Sequence, residues 1–386
     1  MLGIMKGRRW RMSLSHESGI DIKRINRNRI YRLIYQSGRI SKQEIAYKLN
    51  MSLPTVSQNL KYLQEQRLIR ENGTFESTGG RKARALSCVL DARIAIGLDI
   101  TRNHVGIVAV DLGGNIMRNI RAPLRFEAEE RYFSRVGEFL KEFVAGTGIP
   151  ANCVLGVGIS VPGILSDDHK TVVYATVLGF TGGTLEQFAR YIPFPCVMCN
   201  DANAAGTAEM WNEREHGNIV YLSLSNTVGG SIFVDNKLYT GNHQRGGEFG
   251  HMTIEPDGRL CYCGKRGCVD AYCSVRSLLE GVSDSLPDFF SRLRKGETAV
   301  RKRFEEFLEY LAEACNNLRM LFDCEVILGG YLGGYLDEYL ESLRQLVEKR
   351  NTFEEYGKYV RVCHFRLEAA AVGAALLHIT PFLSQI

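Results

Sequence analysis

The amino-acid sequence predicts an α/β protein in which a small basic N-terminal domain precedes a larger body with mixed sheets. The 386 residues suffice for two or three domains that each bury a core. Residues 1–85 contain 18 Lys and Arg against 6 Asp and Glu, whereas the rest contains 30 against 37. From Ile94 onward, strand-like apolar runs alternate with helical stretches, which is typical of an α/β fold. The predicted strands of the body are 94–100, 105–112, 155–161, 195–201, 219–225, 231–238 and 325–330, with helices at 129–145 and 303–322.

The charge asymmetry indicates a polyanionic partner for the N-terminal domain. Its net charge is +12 and that of the body is −7, within an overall charge of +5. A basic domain on a mildly acidic body is typical of nucleic-acid binding. The alternative is a basic arm that is simply solvated.

Composition and cysteine usage indicate a reducing, aqueous compartment. The chain is 45% hydrophobic and 24% charged, which is ordinary for a soluble protein. We find no apolar run near the roughly 18 residues of a membrane span, and no apolar stretch follows the basic N-terminus as a secretion signal requires. Eleven cysteines, three of them within eight residues, fit one metal site and buried thiols better than a disulfide framework. We expect a cytoplasmic protein that does not insert into membranes.

The N-terminal domain contains the pattern of a helix-turn-helix. Residues 29–36 predict a first helix, and a second begins at Ser41 with Glu44 at capping-box spacing. After a short break, Ser52 can cap a third helix that has Pro54 in its first turn. Such a third helix suits reading of the DNA major groove. The candidate DNA contacts on its polar face are Thr55, Ser57, Gln58, Asn59 and Lys61.

A wing follows the third helix in this prediction. Residues 67–70 and 84–86 indicate two strands, with a turn at 71–74. Between them lies S-T-G-G-R-K, in which Gly80, Arg81 and Lys82 are further candidate DNA contacts. Glycine lets the backbone approach DNA closely, and an arginine suits a narrow minor groove. The alternative is a flexible glycine hinge. The sequence therefore predicts a winged helix-turn-helix domain over residues 1–86.

A cluster of cysteines predicts a structural zinc site. His251 precedes the run C-Y-C-G-K-R-G-C, which contains Cys261, Cys263 and Cys268. Three thiolates and one imidazole satisfy tetrahedral Zn²⁺ and leave no open coordination position. The alternative is a group of buried free thiols beside an unrelated histidine. A redox pair is disfavoured because this cluster contains no C-x-x-C motif.

The segment from Gly229 to Ser274 resembles the signature of the ROK family, which comprises repressors, open-reading-frame products and sugar kinases. The resemblance rests on G-E-F-G-H and C-Y-C-G-K-R-G-C-V-D-A-Y-C-S and covers nearly the whole chain. It implies an actin/hexokinase-like body of two ribonuclease H-like lobes around a cleft. The first lobe would consist of residues 87–200 with about 366–386, and the second of residues 201–365. The basic domain followed by S-T-G-G-R-K is similar to the repressor branch, whose xylose- and N-acetylglucosamine-responsive members imply a symmetric homodimer or homotetramer.

The resemblance also implies a sugar-binding cleft. Asn200 and Asp201 match the family's N-D pair, in which the aspartate of kinases is the general base for the sugar hydroxyl. Glu248 and His251 match the E-x-G-H motif, whose acid contacts sugar and whose histidine is shared with zinc. Paired carboxylates and an amide also suit vicinal hydroxyls on physical grounds alone.

Three further positions extend the comparison with the sugar site. Gly163 matches a loop that lines the same pocket. Asp270 stands where the family usually has a sugar-binding glutamate, so the carboxylate is one methylene shorter. Val177 replaces an asparagine that kinases often carry. The resemblance thus implies a sugar or sugar-phosphate effector without identifying it.

The nucleotide side departs from the kinase pattern in three places. The stretch matching D-x-G-G-T runs from Asp99 to Asn103. Both of its glycines are absent, and Arg102 and Asn103 fill the place of close phosphate approach. The second phosphate loop, usually G-T-G-x-G-G-G, is S-N-T-V-G-G-S at 225–231, and Tyr331 replaces a further glycine. Phosphate cradles need such glycines. We expect a sugar-responsive regulator, and most simply a repressor of operator DNA, in which Asp201 is a vestigial general base. The alternatives are a working ATP-dependent sugar kinase with a DNA-binding head and a regulator controlled by a protein partner.

Overall fold

The computed structural model describes residues 19–75, 83–212, 217–353 and 356–386. The described chain divides into two compact units. One contains the residues up to Ala92 together with Pro381–Ile386, and the other contains Arg93–Thr380.

The first unit is a three-helix domain with a small antiparallel sheet. Its elements are α1 (Gly19–Ser37), β1 (Ile40–Ser41), α2 (Lys42–Leu49), α3 (Leu53–Glu65), β2 (Ile69–Thr74) and β3 (Arg84–Cys88), with strand order β1-β3-β2. Ser41 and Glu44 form the predicted capping box, and Asn50 ends α2 in the left-handed region with φ 51°. Ser52 caps α3. The helices enclose a core of Ile30, Ile34, Ile45, Val56, Leu60 and Leu63.

Two predictions for this unit need correction. The first helix begins at Gly19, well before the predicted residue 29. The predicted turn at 71–74 lies inside β2, where the pairing with β3 is irregular between Glu71 and Thr74 and Gly73 has φ +80°. A bulge of this kind keeps the chain in the sheet, which is why turn-forming residues were misleading here. Gly80, Arg81 and Lys82 lie outside the described residues.

The second unit contains two five-stranded sheets of like design. The first has the order β10-β7-β4-β5-β6 and the second β13-β12-β11-β14-β15. In each sheet, the first three strands pair antiparallel in chain order. Two later strands then pair in parallel beside the first of these strands. The strands of the first sheet are β4 (Ile94–Ile100), β5 (His104–Asp111), β6 (Ile116–Pro123), β7 (Val154–Val161) and β10 (Cys196–Asn200). Those of the second are β11 (Ile219–Leu224), β12 (Val228–Val234), β13 (Lys237–Tyr239), β14 (Glu325–Gly329) and β15 (Val360–Val362).

Helices pack around these sheets, and a hairpin of β8 (Ile164–Leu165) and β9 (Val172–Tyr174) completes the unit. The helices are α4 (Glu130–Ala145), α5 (Leu185–Ala189), α6 (Asp201–Asn212), α7 (Asp270–Cys273), α8 (Val275–Leu279), α9 (Leu286–Arg294), α10 (Thr298–Phe322), α11 (Gly330–Leu336), α12 (Leu340–Glu348) and α13 (Ala369–Gln385). The predicted strand 231–238 is in fact two strands. Asp235 and Asn236, both with positive φ, form the tight turn between them.

Most residues in the first half of the last helix, from Ala369 to Leu376, are buried. Arg366–Gln385 is long and apolar enough to cross a membrane by length and composition. However, its small residues pack tightly. A Cβ atom at Gly97 of β4 would lie 1.7 Å from the Ala371 carbonyl oxygen, and one at Gly373 would lie 1.6 Å from that of Ala204. Since backbones approach this closely only through glycine, the packing itself accounts for the composition of α13.

Candidate functional site

A cavity of about 100 Å³ lies where parallel strands of the first sheet end. Five of the six predicted sugar contacts line it. Gly163 follows β7, Asn200 ends β10 and Asp201 begins α6, while Glu248 and His251 come from the loop after β13. The ends of parallel strands in α/β folds are common ligand sites, because loops from neighbouring strands converge there.

Asn200 fixes the geometry of this cavity. Its Nδ2 donates to the Gly163 carbonyl oxygen at 3.0 Å and to Asp201 Oδ1 at 3.1 Å. Its Oδ1 accepts from the backbone N–H of Asn203 at 2.9 Å. Both functional ends of the amide are therefore occupied, so Asn200 holds the loop of Gly163 against the start of α6. The Oδ1 of Asn203, which also lines the cavity, is buried without a partner among the described residues and is available as an acceptor.

The carboxyl groups of the cavity are protonated more readily than usual. Burial, and then the charge of Asp99, raises the pKa of Asp201 to about 7. Burial raises the pKa of Asp99 to about 6, against the hydrogen bond that Ser160 Oγ donates to it at 3.1 Å. Burial also raises the pKa of Glu248, opposed by His251 and Arg245. Asp201 therefore changes its charge near neutral pH.

The predicted metal ligands come together beside the cavity. The ligand atoms of His251, Cys261, Cys263 and Cys268 all lie within 4.8 Å of one another. The sulfurs of Cys263 and Cys268 are 3.8 Å apart, and Cys261 Sγ lies 4.0 Å from His251 Nδ1. Tetrahedral zinc with Zn–S bonds of about 2.3 Å places its sulfurs about 3.8 Å apart. The four side chains thus fit a metal of this geometry.

Sequence reasoning missed Tyr262, which lies between two of the predicted ligands. Its side chain lines the cavity, and its hydroxyl is 3.2 Å from His251 Nε2. Residue type gave no signal, because the middle position of C-x-C is unconstrained by metal binding. The location itself was a usable signal, since neighbours of His251 and Cys261 must lie near the cavity.

Asp270 does not face the cavity, in contrast to the prediction. Its side chain is fully buried. Its Oδ2 accepts from the backbone N–H of Val228 at 2.7 Å, and its Oδ1 accepts from Arg276 at 3.2 Å. The carboxylate therefore supports the start of β12 from inside the second lobe.

The three predicted nucleotide-side segments also come together. Asp99, Arg102, Asn226 and Tyr331 line a second cavity of about 70 Å³ that adjoins the first. Arg102 extends toward the Val177 carbonyl oxygen at 3.5 Å. A larger groove of about 570 Å³ lies beyond, lined by Asn103, Arg121 and Tyr331 among others.

Two side chains of this region, those of Arg121 and Tyr331, contact each other. The Tyr331 hydroxyl accepts from Arg121 at 3.1 Å, and the Arg121 guanidinium lies 5.1 Å from the Tyr331 ring centre. The backbone N–H of Tyr331 donates to Ser225 Oγ at 3.3 Å. The hydroxyl and backbone groups at this turn are thus engaged within the protein.

In the first unit, α3 exposes only part of the predicted DNA-contacting set. Gln58 and Lys61 are exposed, and Thr55 and Ser57 are half-buried. Asn59 is not on the exposed face, contrary to the prediction. It is only 5% exposed, and its Nδ2 donates to the Thr55 carbonyl oxygen at 2.8 Å.

The two hydroxyl side chains of the predicted set form hydrogen bonds within the domain. Thr55 Oγ1 lies 2.8 Å from Ser52 Oγ, and Ser57 Oγ donates to the Leu53 carbonyl oxygen at 2.6 Å. The exposed Leu53, at the first turn of α3, and the exposed Tyr47 on α2 were not predicted as candidates. Apolar side chains on the groove-facing end of a recognition helix can contact thymine methyl groups.

Comparison with known proteins agrees with this description. The ROK family model matches residues 95–380, and a model of winged helix-turn-helix DNA-binding domains matches residues 23–70. The chain is 25% identical to the xylose repressor of Bacillus subtilis over 375 residues, which is 95% of this chain and 97% of that protein. It is 24% identical to the N-acetylglucosamine repressor of Escherichia coli O6:H1 over 270 residues, covering 69% of this chain and 66% of that one.

Solved structures share the fold. A ROK family transcriptional regulator described as a homologue of the E. coli MLC protein has a TM-score of 0.74 at 20% identity and covers 94% of this chain and 97% of its own. A ROK family glucokinase from Streptomyces griseus, solved with glucose and AMPPNP, has a TM-score of 0.62 at 26% identity, covering 74% and 98%. With its actin/hexokinase-like body matched by the family model from residue 95 to 380 and a winged helix-turn-helix in front, this chain belongs to the ROK family.

Proposed function

We propose that this protein is a sugar-responsive transcriptional repressor that binds sugar without phosphorylating it. One observation carries the proposal. The same body keeps Asp201, Glu248 and His251 around a cavity, yet has Arg102 and Tyr331 where phosphate-binding glycines belong. The named repressors that match along 95% of this chain support the same assignment.

DNA binding is assigned to the winged helix-turn-helix over residues 1–86. Gln58 and Lys61 are exposed on α3, which would enter the major groove. Gly80, Arg81 and Lys82 of the wing would contact the backbone or minor groove. A symmetric homodimer or homotetramer in the cytoplasm would then bind a nearly palindromic operator.

Sugar recognition is assigned to the carboxylates of the cavity. Asp201 and Glu248 accept hydrogen bonds from vicinal hydroxyls, and charged acceptors strengthen such bonds. Asn200 lines the same cavity, and its amide also holds the loop of Gly163 and the start of α6. Its role is to keep Asp201 in position.

We assign zinc to the cluster of His251, Cys261, Cys263 and Cys268. Three thiolates and one imidazole favour zinc over harder cations, and a closed set of four ligands makes the site structural. When bound, the ion ties together the loop that carries Glu248. The chain's own part is to bring His251 to the cavity edge with Nε2 turned away from the cysteines.

A sugar kinase is the second candidate, and two observations favour it. The pKa of Asp201, raised to about 7, suits a general base at neutral pH. The S. griseus glucokinase is also similar in fold and sequence. Against it stand the side chains of Arg121 and Tyr331, which pair with each other on the nucleotide side.

Repression would be relieved by a shift of population between conformations. A sugar bound between the lobes favours the state that it binds better, and operator affinity falls if that state holds DNA less well. Couplings of this kind are typically about 1–3 kcal/mol, or about 5- to 150-fold in affinity.

The deciding experiment combines three assays on one preparation. Calorimetry across free and phosphorylated sugars identifies the ligand, electrophoretic mobility shift measures operator binding with and without it, and a coupled assay measures ADP release. We expect saturable binding, weaker operator affinity with sugar, and no turnover. Turnover on the order of 1 per second or faster, abolished by Asp201→Asn, would establish the kinase instead. Operator binding that no sugar changes would contradict the sensor.

A further inference from the structure

We propose that the Tyr262 hydroxyl contacts the bound sugar and determines selectivity at one of its hydroxyl groups. This inference rests on the proposed sugar-binding function. It assigns a polar contact on the side of the cavity where the sequence led us to expect Asp270, whose carboxylate is buried elsewhere.

The position of Tyr262 is fixed by its neighbours in the chain. Cys261 and Cys263 on either side both belong to the cluster of ligand atoms within 4.8 Å of one another. The cluster therefore restrains the backbone on both sides of Tyr262, from which the ring extends. It lies edge-on to His251, with the ring centroids 5.3 Å apart, and its side chain lines the cavity.

A chain of contacts holds the ring from behind. The Arg276 guanidinium lies 5.2 Å from the Tyr262 ring centre, a cation–π distance. Arg276 donates to Asp270 Oδ1 at 3.2 Å, and Asp270 Oδ2 accepts from the Val228 backbone at 2.7 Å. The buried carboxylate thus positions Arg276, and Arg276 covers the ring. This gives Asp270 a role in the site without a sugar contact.

The hydrogen bond to His251 sets the polarity of the hydroxyl. His251 Nδ1 is turned toward Cys261 Sγ at 4.0 Å, so Nε2 is the nitrogen that faces Tyr262 at 3.2 Å. When Nδ1 serves as a ligand, Nε2 carries the proton and donates. The phenolic oxygen then accepts from His251, and its own O–H is left to donate into the cavity.

Such a donor complements the rest of the lining. When they are ionised, the carboxylates of Asp201 and Glu248 only accept hydrogen bonds, and so does the unpartnered Oδ1 of Asn203. A sugar hydroxyl that donates to one of these oxygens still has lone pairs that accept from Tyr262. A donor beside several acceptors therefore distinguishes hydroxyl groups by both position and direction.

The test is Tyr262→Phe, which removes one oxygen and leaves the ring under Arg276. Tyr239→Phe is the matched control, because it makes the same chemical change at an exposed position of β13 that does not line the cavity. Calorimetry is run on full-length protein with the sugar found in the panel and with each of its monodeoxy analogues. Zinc content and operator binding without sugar are measured on the same samples.

We expect Tyr262→Phe to weaken binding of the parent sugar about two- to tenfold, as for one net hydrogen bond. One monodeoxy analogue, lacking the hydroxyl that Tyr262 contacts, should bind the wild type and the variant equally, since the pair is then already broken. The control, the zinc content and operator binding should not change.

Three results would overturn the inference. Unchanged affinity of Tyr262→Phe for the parent sugar would exclude the contact. An equal loss for the parent and every deoxy analogue, accompanied by loss of zinc, would show that Tyr262 only supports the cluster. A wild type that binds none of the sugars would reject the proposed function along with this contact, whereas the first two results reject the contact alone.

Discussion

Asp201→Asn separates the roles of charge and shape in the cavity. The variant keeps the hydrogen bonds to Oδ1 from Asn200 and from the Ala202 backbone, at 3.1 and 2.9 Å, but removes the charge. A charge-assisted bond contributes about 1.5–3 kcal/mol, so sugar affinity at pH 8 should fall roughly ten- to hundredfold. Operator binding without sugar should survive, because Asp201 lies in the body and not in the DNA-binding domain.

The pH dependence of sugar affinity shows whether Asp201 binds the sugar as the carboxylate or as the neutral acid. With a pKa of about 7, raised by burial and by Asp99, Asp201 is ionised to about one tenth at pH 6 and about nine tenths at pH 8. If the carboxylate is the binding form, wild-type affinity rises roughly tenfold across this range, and that of the variant does not. Asp235→Asn makes the same chemical change in an exposed turn and serves as the control.

The contribution of Asp201 to the free energy of unfolding should fall as the pH rises, whereas sugar affinity should rise. The folded-state pKa of Asp201 is raised above the ordinary 3.8, so the folded protein binds this proton more tightly than the unfolded chain does. That stabilisation is complete below about pH 4 and is lost as the pH rises through 7, on the order of 4 kcal/mol in total. The advantage of Asp201→Asn in unfolding free energy should therefore grow between pH 5 and 7 and then level off.

Calorimetry and denaturant unfolding at pH 5, 6, 7 and 8 test both effects. Wild-type affinity that falls with rising pH would show that the neutral acid donates to the sugar, and the assignment of Asp201 as a charged acceptor would be wrong. Equal stability of the variant and the wild type at every pH would show that Asp201 is not desolvated in the folded protein.

Three further predictions concern the metal cluster, the DNA-binding surface and the core. Elemental analysis should find one zinc per chain. Cys263→Ser should lose the metal and most of the thermal stability, because the binding of structural zinc in small peptides contributes roughly 10–16 kcal/mol. Native protein that contains no metal would refute the site. Gln58→Ala should weaken the preference for the operator over other DNA by about 1–3 kcal/mol in competition mobility-shift assays. Asn59→Ala should mainly lower the stability of the protein, since Asn59 is buried. The reverse pattern would contradict the exposure described for α3. Gly97→Ala should destabilise the protein by about 1–3 kcal/mol in denaturant unfolding, because its Cβ would meet the Ala371 carbonyl oxygen at 1.7 Å; an unchanged midpoint would mean that α13 can move away.

Local signals in the sequence predicted the elements that depend on local interactions. The capping box of Ser41 and Glu44 and the cap at Ser52 are confirmed, and so are the strands around 94–100 and 325–329. These features depend on residues within a few positions of one another, which a single sequence displays. The bulge in β2 was not predicted, because it depends on pairing with β3 and not on the turn-forming residues alone.

The errors at the candidate sites have the same origin. Asn59 was placed on the exposed face because only Val56, Leu60 and Leu63 were assigned to the buried stripe of α3. In the structure Asn59 is buried with them, and the helix carbonyl of Thr55 satisfies its amide. Asp270 was placed at the sugar by resemblance. In the structure it binds the backbone of Val228, which is distant in sequence, and the side chain of Arg276, whose residue type gave no signal. Tyr262 was missed because its role depends on the direction in which the cluster turns its ring.

The asymmetry between the two sides of the cleft suits a sensor for a physical reason. If the protein consumed its ligand, occupancy of the cavity would depend on turnover and on nucleotide supply as well as on sugar concentration. Reversible binding makes occupancy a function of sugar concentration and dissociation constant alone. In the proposed assignment, the pair of Arg121 and Tyr331 lies on the nucleotide side, and the acids Asp201 and Glu248 line the sugar cavity. Restoring glycine at Tyr331 alone would therefore leave Arg102 and Asn103 in the first phosphate loop, and several changes together would be required to recover a kinase from this chain.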